Sequence, residues 1–323
     1  MAFLDGLKNL KVNELVGAAA SKVQEAKQYV DEKSDIGPFK NVKDQVGGLA
    51  SKAGSAVSSI APAGLKAYLP MGTGKRQSPI DLITSEAKFD EKLGDGQFTF
   101  KYQSGEAKQL VNSGYSLQVN FVPDGTSAVT GVHLDGEYIL KQVHLHWGTE
   151  PMNGSEHMIG GVGYAGEIQM VHAKHGCGEV EAAMGKHDGL AIFAVFLNET
   201  HDDNPALNPI LNQLDKVKHL HEYVPLDRGF DARALIPDKM EFWTYEGSLT
   251  MPPNSECVVW TVFRASIPIS SNQLEKLRQI YAVTAEQVVD NPVMIAGNSR
   301  PPQPTHGRLI RASFRAGGVV SDE

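Results

Sequence analysis

In the stretch YILKQVHLHWG, Tyr138 to Gly148, apolar and β-branched residues dominate and two histidines stand two apart, His144 and His146. On a β-strand alternate side chains point to the same face, so both imidazoles aim at one spot. A catalytic zinc site favours three protein ligands and an open position for water, and this pair supplies two of them. Alternating histidines also occur as buried, hydrogen-bonded residues, so the pair by itself leaves both readings open. A second strand reads from GEIQMVH, Gly166 to His172. There Glu167, Gln169 and Val171 share one face, and Ile168, Met170 and His172 the other. Gln169 is therefore able to face the histidine pair, with Glu167 beside it as an acceptor that orients a ligand. His172 points away and reads as a satisfied core histidine, and His175, beyond the strand, as a surface residue.

Outward from this centre the pattern stays β. FTFKY, SLQVNF, LAIFAVFL and CVVWTVF are short apolar or alternating runs separated by Gly, Asn, Asp and Pro. Two helices are expected among them, Pro205 to Val217 and Ser271 to Tyr281, the latter capped by Ser270 or Ser271. The expected fold class is mainly β (α+β), with a large central sheet and a few surface helices. The composition changes near residue 70: all three Trp and all eleven His lie beyond it. We therefore expect a helical N-terminal extension over 1–70, a β domain over 71–315 and a short tail over 316–323. Within the extension VNELVGAAASK (Val12 to Lys22) aligns without a gap with VKDQVGGLASK (Val42 to Lys52), which points to a duplicated amphipathic helix. Such helices bury little apolar surface alone, so residues 1–60 are expected to dock on a protein partner or larger assembly. Lysines and acids balance along them, which makes a membrane surface the less favoured alternative.

The 323-residue chain has a formal net charge of -8, which argues against nucleic acid as its main partner. Its two cysteines, Cys177 and Cys257, do not suggest a disulfide framework. No apolar run approaches the roughly 18–20 residues that span a bilayer. The first residues, MAFLDGLKNLKVNEL, lack the basic and apolar blocks of a secretory signal. A cytoplasmic or cytoskeletal location is expected.

Several longer strings carry a resemblance. RQSPIDL (Arg76 to Leu82), LDGEYILKQVHLHWG (Leu134 to Gly148), NGSEH (Asn153 to His157), FWTYEGSLTMPPNSECVVW (Phe242 to Trp260) and NSRPPQP (Asn298 to Pro304) resemble the α-carbonic anhydrases. The likeness covers about residues 73–315. It implies a large twisted, mainly antiparallel sheet of about ten strands, with a cleft where zinc-activated water hydrates carbon dioxide. Position by position, His144 and His146 match the first two zinc ligands, and the third family histidine falls on Gln169. Gln142 matches the acceptor behind the first ligand, and Glu167 the carboxylate behind the third. Thr250 matches the threonine beside the metal, and Glu156 the glutamate that orients it. Val171, Ile192, Leu249, Val258 and Trp260 match the apolar wall of the carbon dioxide pocket.

Three departures set this chain apart from that pattern. Gln169 offers a carboxamide oxygen in place of an imidazole, so zinc is expected to bind weakly or not at all. Tyr115 stands where fast members carry a proton-relaying histidine; a phenol titrates near pH 10 and relays poorly at neutral pH. Met251 adds bulk beside Thr250, where a smaller polar residue or histidine helps place bicarbonate. The cysteine pair of secreted members is missing from its places near Gln77 and Asn254. The resemblance thus implies a carbonic-anhydrase-related protein, inactive or very weak, serving as a binding or structural module. The alternative is a slow zinc-dependent hydratase with a His-His-Gln site.

Overall fold

The computed structural model describes residues 74–96, 98–226, 229–288 and 292–316. The expected helical extension, its internal repeat and nearly all of the short tail lie outside the described residues. Fifteen strands occur among those described: β1 Asp81–Leu82, β2 Lys88–Phe89, β3 Phe98–Lys101, β4 Ala107–Asn112, β5 Leu117–Phe121, β6 Ala128–Gly131, β7 Tyr138–Trp147, β8 Met158–Ile159, β9 Gly166–Lys174, β10 Leu190–Thr200, β11 Tyr223–Pro225, β12 Phe242–Gly247, β13 Val258–Phe263, β14 Ile267–Ser270 and β15 Arg311–Ala312. Thirteen form one sheet, whose main path runs β11-β4-β5-β7-β9-β10-β13-β12-β15-β2. The ladders β5–β7, β7–β9, β9–β10 and β12–β13 are antiparallel, while β10 pairs in parallel with β13 and β14. This is the large, mostly antiparallel sheet expected from the sequence.

Strands β9 and β10 are buried along nearly their whole length, as their continuous apolar runs require of a sheet covered on both faces. One face packs Tyr138, Leu140, Val143, Leu145, Trp147, Ile168, Met170 and Phe193 into a core. The other packs Val171, Ile192, Ala194, Phe196, Val258 and Trp260 into a second. Between Leu140 and Gln142 the β7–β9 register shifts by a bulge. The extra residue, Lys141, is 7% exposed, and its Nζ donates to Pro123 O at 2.7 Å and to Glu179 Oε1 at 2.9 Å. A bulge reverses the in–out parity of everything after it. Tyr138 and Leu140 therefore share a face with Val143, Leu145 and Trp147, and His144 and His146 turn to the opposite one.

The helix expected over Pro205–Val217 is broken into a 3-10 turn at Pro205–Leu207, an α turn at Asn208–Leu211 and a 3-10 turn at Leu214–Lys216. Pro209 has no N–H to give Pro205 O four residues earlier, which instead accepts from Asn208 N–H. The α-helix Ser271–Arg278 forms as expected but stops short of Tyr281, which bridges to Met294 instead. Ser270 caps it in a reciprocal box with Gln273.

Candidate metal centre

The sheet register brings the candidate residues together in rows. His144 lies directly opposite Gln169, and His146 opposite Glu167, in the β7–β9 ladder. Side chains directly opposite each other are about 4.5–5.5 Å apart at Cβ. One row over, Gln142, Val171, Ile192 and Trp260 follow one another across β7, β9, β10 and β13.

Each histidine has one nitrogen committed to an acceptor. His144 Nε2 donates to Gln142 Oε1 at 3.1 Å, leaving Nδ1 as its lone-pair nitrogen. His146 Nδ1 donates to Asn298 O at 3.0 Å. Its Nε2 is buried with no hydrogen-bond partner, although the residue is only 1% exposed. Burial, and then the neighbouring His146, hold His144 down at about 3, so its ring is neutral at physiological pH.

Gln169 is held by two carboxylates. Its Nε2 donates to Glu156 Oε2 at 2.7 Å and to Glu167 Oε1 at 3.0 Å. Ionised carboxylates only accept, so the amide nitrogen must face them, and the carboxamide oxygen is left pointing away. Glu167 also accepts from the Glu156 and His157 backbone N–H groups, at 3.0 and 2.8 Å, and from His157 Nδ1 at 2.9 Å. Burial raises this carboxyl, but the His157 charge and these donors outweigh it, and its pKa lies below the ordinary value. Glu156 Oε1 accepts from Arg300 N–H at 2.9 Å. Gln169 is the donor on its other oxygen, and Glu156 makes no hydrogen bond to Thr250 among the described residues. The Thr250 hydroxyl, on a residue 7% exposed, likewise has no partner among them.

The unpartnered buried Nε2 of His146, the lone pair on His144 and the Gln169 oxygen turned from its carboxylates fit a cation. The set is two imidazoles and a carboxamide, and among the described residues no cluster of three His, Cys, Asp or Glu is placed to hold a metal.

Val171, Ile192, Val258 and Trp260 gather in one apolar cluster, with half-buried Leu249 packed against it; Met251 is half-buried and outside it. Tyr115 is half-buried, and its carbonyl accepts from Asn298 Nδ2 at 2.8 Å. His172 is buried on the other face: its Nε2 meets Tyr102 OH at 2.7 Å and its Nδ1 donates to Met170 O at 3.0 Å. His175 is exposed. Cys177 and Cys257 are free. Gln77 and Asn254, beside the places of the missing cysteine pair, touch through a hydrogen bond from Gln77 Nε2 to Asn254 O at 3.2 Å.

Sequence reasoning assigned no role to Asn298, Arg300, His157, Tyr245 or Ser78, all of which hold the site in place. Each lies inside one of the strings that carried the resemblance, so the signal was in those strings.

The profile of the eukaryotic-type carbonic anhydrases matches residues 63–314. Carbonic anhydrase 3 of Homo sapiens is 37% identical over 249 residues, 76% of this chain and 92% of that protein. Carbonic anhydrase 3 of Rattus norvegicus is 38% identical over the same length. Carbonic anhydrase 1 of Oryctolagus cuniculus is 39% identical over 242 residues, 75% of this chain and 100% of that protein. A profile spanning the whole sheet, and relatives matched over nearly their full length, place the chain in the α-carbonic anhydrase family.

Proposed function

We propose that this chain is a carbonic-anhydrase-related protein with little or no hydration activity, kept as a binding or structural module. One observation carries the reading: Gln169 gives both amide hydrogens to Glu156 and Glu167. In the family pattern the glutamate at position 156 orients the threonine at position 250. Here the Glu156 carboxylate accepts from Gln169 Nε2 and the Arg300 N–H and makes no hydrogen bond to Thr250 among the described residues.

His144, His146 and Gln169 would hold a zinc ion, which when bound supplies Lewis acidity and acidifies water at neutral pH. A carboxamide oxygen is a weaker zinc donor than an imidazole. Losing a group that merely orients a ligand already costs about 10–100-fold in metal affinity. Gln142 fixes the His144 ring and Asn298 the His146 ring, so the remaining two ligands stay aimed. Tyr115 stands where fast members of the family carry a proton-relaying histidine. The test is zinc stoichiometry on protein purified without chelator, together with stopped-flow hydration of carbon dioxide. Well under one zinc per chain and a background rate are expected; one zinc with measurable hydration overturns the reading.

A second reading, a slow hydratase with a His-His-Gln metal site, is favoured by the unpartnered His146 Nε2. If Gln169→His gains zinc and still hydrates no carbon dioxide, the cleft itself is disabled and this reading fails. The module role rests on residues 1–60 as the surface for a protein partner or assembly, in a cytoplasmic or cytoskeletal setting. Among the described residues no helix is long and apolar enough to cross a membrane. Hydrogen exchange on the isolated chain tests the partner: strong protection throughout residues 1–60 without one would remove the need for it.

A further inference from the structure

A closed ring of buried hydrogen bonds joins the site to Ser78. Tyr245 OH meets Ser78 Oγ at 3.0 Å and His157 Nε2 at 2.7 Å. His157 Nδ1 donates to Glu167 Oε1, which also accepts from Gln169 Nε2. Gln169 Nε2 donates on to Glu156 Oε2, and Glu156 Oε1 accepts from Arg300 N–H. Arg300 closes the ring by donating from its guanidinium to Ser78 O at 2.6 Å. None of the seven residues is more than 8% exposed.

The joint at Gln169 depends on its chemistry. Two carboxylates must be bridged at one point, which needs two hydrogens on one atom. A carboxamide nitrogen carries two, and a histidine ring nitrogen carries one. A buried polar network is rigid when every member is satisfied and costly when one is not. We propose that Gln169 is the clasp of this ring, and that the candidate metal centre works as a metal-independent lock on the Gln77–Ser78 segment. Ser78 reports on the lock directly: its N–H donates to Ser248 Oγ at 2.9 Å, and Ser248 N–H donates to Ser78 Oγ at 3.0 Å. The lock requires no hydration activity and stands whether or not the cleft retains any.

The test is residue-resolved hydrogen exchange on the full chain. Gln169→Leu is expected to speed exchange of the Ser78 and Ser248 amides about tenfold or more, the effect of losing one charge-assisted bond. Acceleration confined to the Glu156 and His157 amides would overturn the proposal. Tyr245→Phe removes only a hydroxyl and covers the case in which Gln169→Leu does not fold. It should loosen the Arg300 amide, which donates to Glu156 across the ring, and no change there would count against the lock. Gln169 and Tyr245 share no hydrogen bond, so the double variant discriminates further. Its unfolding constant should depart from the product of the single effects by about threefold or more; a simple product breaks the ring as an idea. Chelator should leave the parent's Ser78 protection intact, and its loss on metal removal would refute metal independence.

Discussion

Gln169→His returns a third imidazole to the donor set and removes the amide that bridges two buried carboxylates. In the parent Gln169 Nε2 stands 2.7 Å from Glu156 Oε2 and 3.0 Å from Glu167 Oε1. An imidazole nitrogen with one N–H serves one of these, so one carboxylate loses a charge-assisted hydrogen bond in a site where neither glutamate is more than 1% exposed. Such bonds contribute about 1.5–3 kcal/mol. For a domain of this size each kcal/mol moves the melting temperature by about 2–4 °C. In chelator the variant should therefore melt about 3–12 °C below the parent. Zinc at a hundred times its Kd returns about 2.7 kcal/mol to a protein that binds it only when folded, so zinc should close most of the gap. The assay is differential scanning calorimetry of both proteins, with chelator and with zinc, beside elemental analysis of each. The parent should melt at the same temperature in both buffers. The reasoning is refuted if zinc raises the parent as much as the variant, or if the variant in chelator melts with the parent.

Further outcomes follow from other parts of the structure. Burial holds the His172 imidazole down at about 4, against the raising effect of the Ala191 and Met170 carbonyls. The unfolded chain thus binds the extra proton below its ordinary value near 6.5; the stability from the neutral ring is full above that pH and drains away as the pH falls toward 4. Urea titrations of parent and His172→Asn between pH 6 and 4.5 should differ in slope by up to about 1.4 kcal/mol per pH unit, and equal slopes would contradict this. Burial also pushes the Cys257 thiol up to about 11, while Cys177 is half-exposed. A thiol reagent at pH 8 should label one cysteine of the native chain promptly and the second only on unfolding; two equally fast cysteines would be the wrong result. Ser270→Ala removes the acceptor of the Gln273 N–H at 3.1 Å and should destabilise by about 0.5–2 kcal/mol in denaturant melts, with no cost meaning the cap is idle.

Local chemistry made much of this protein legible before any fold. The runs of Val, Ile, Phe and Trp in 138–147, 190–197 and 258–263 mark strands because period and side-chain shape are properties of neighbouring residues. The same alternation put His144 with His146, and Glu167 with Gln169, on shared faces. Gly and Pro marked the turns, and Ser270 or Ser271 marked a helix start.

Three features were settled only by tertiary structure. Strict alternation from Tyr138 would seat His144 beside Leu140, yet the bulge at Lys141 puts them on opposite faces. The cause is a register fixed by the neighbouring strand β9 and by the distant acceptors Pro123 and Glu179. The division of the Glu156 carboxylate between Gln169 and Arg300, away from Thr250, joins residues far apart in the chain. The buried ring through Ser78, Tyr245 and His157 is likewise built from remote segments. Alternation is local, so the sequence determined which side chains share a strand face. Which buried donor meets which acceptor depends on long-range packing, and that only the folded sheet decided.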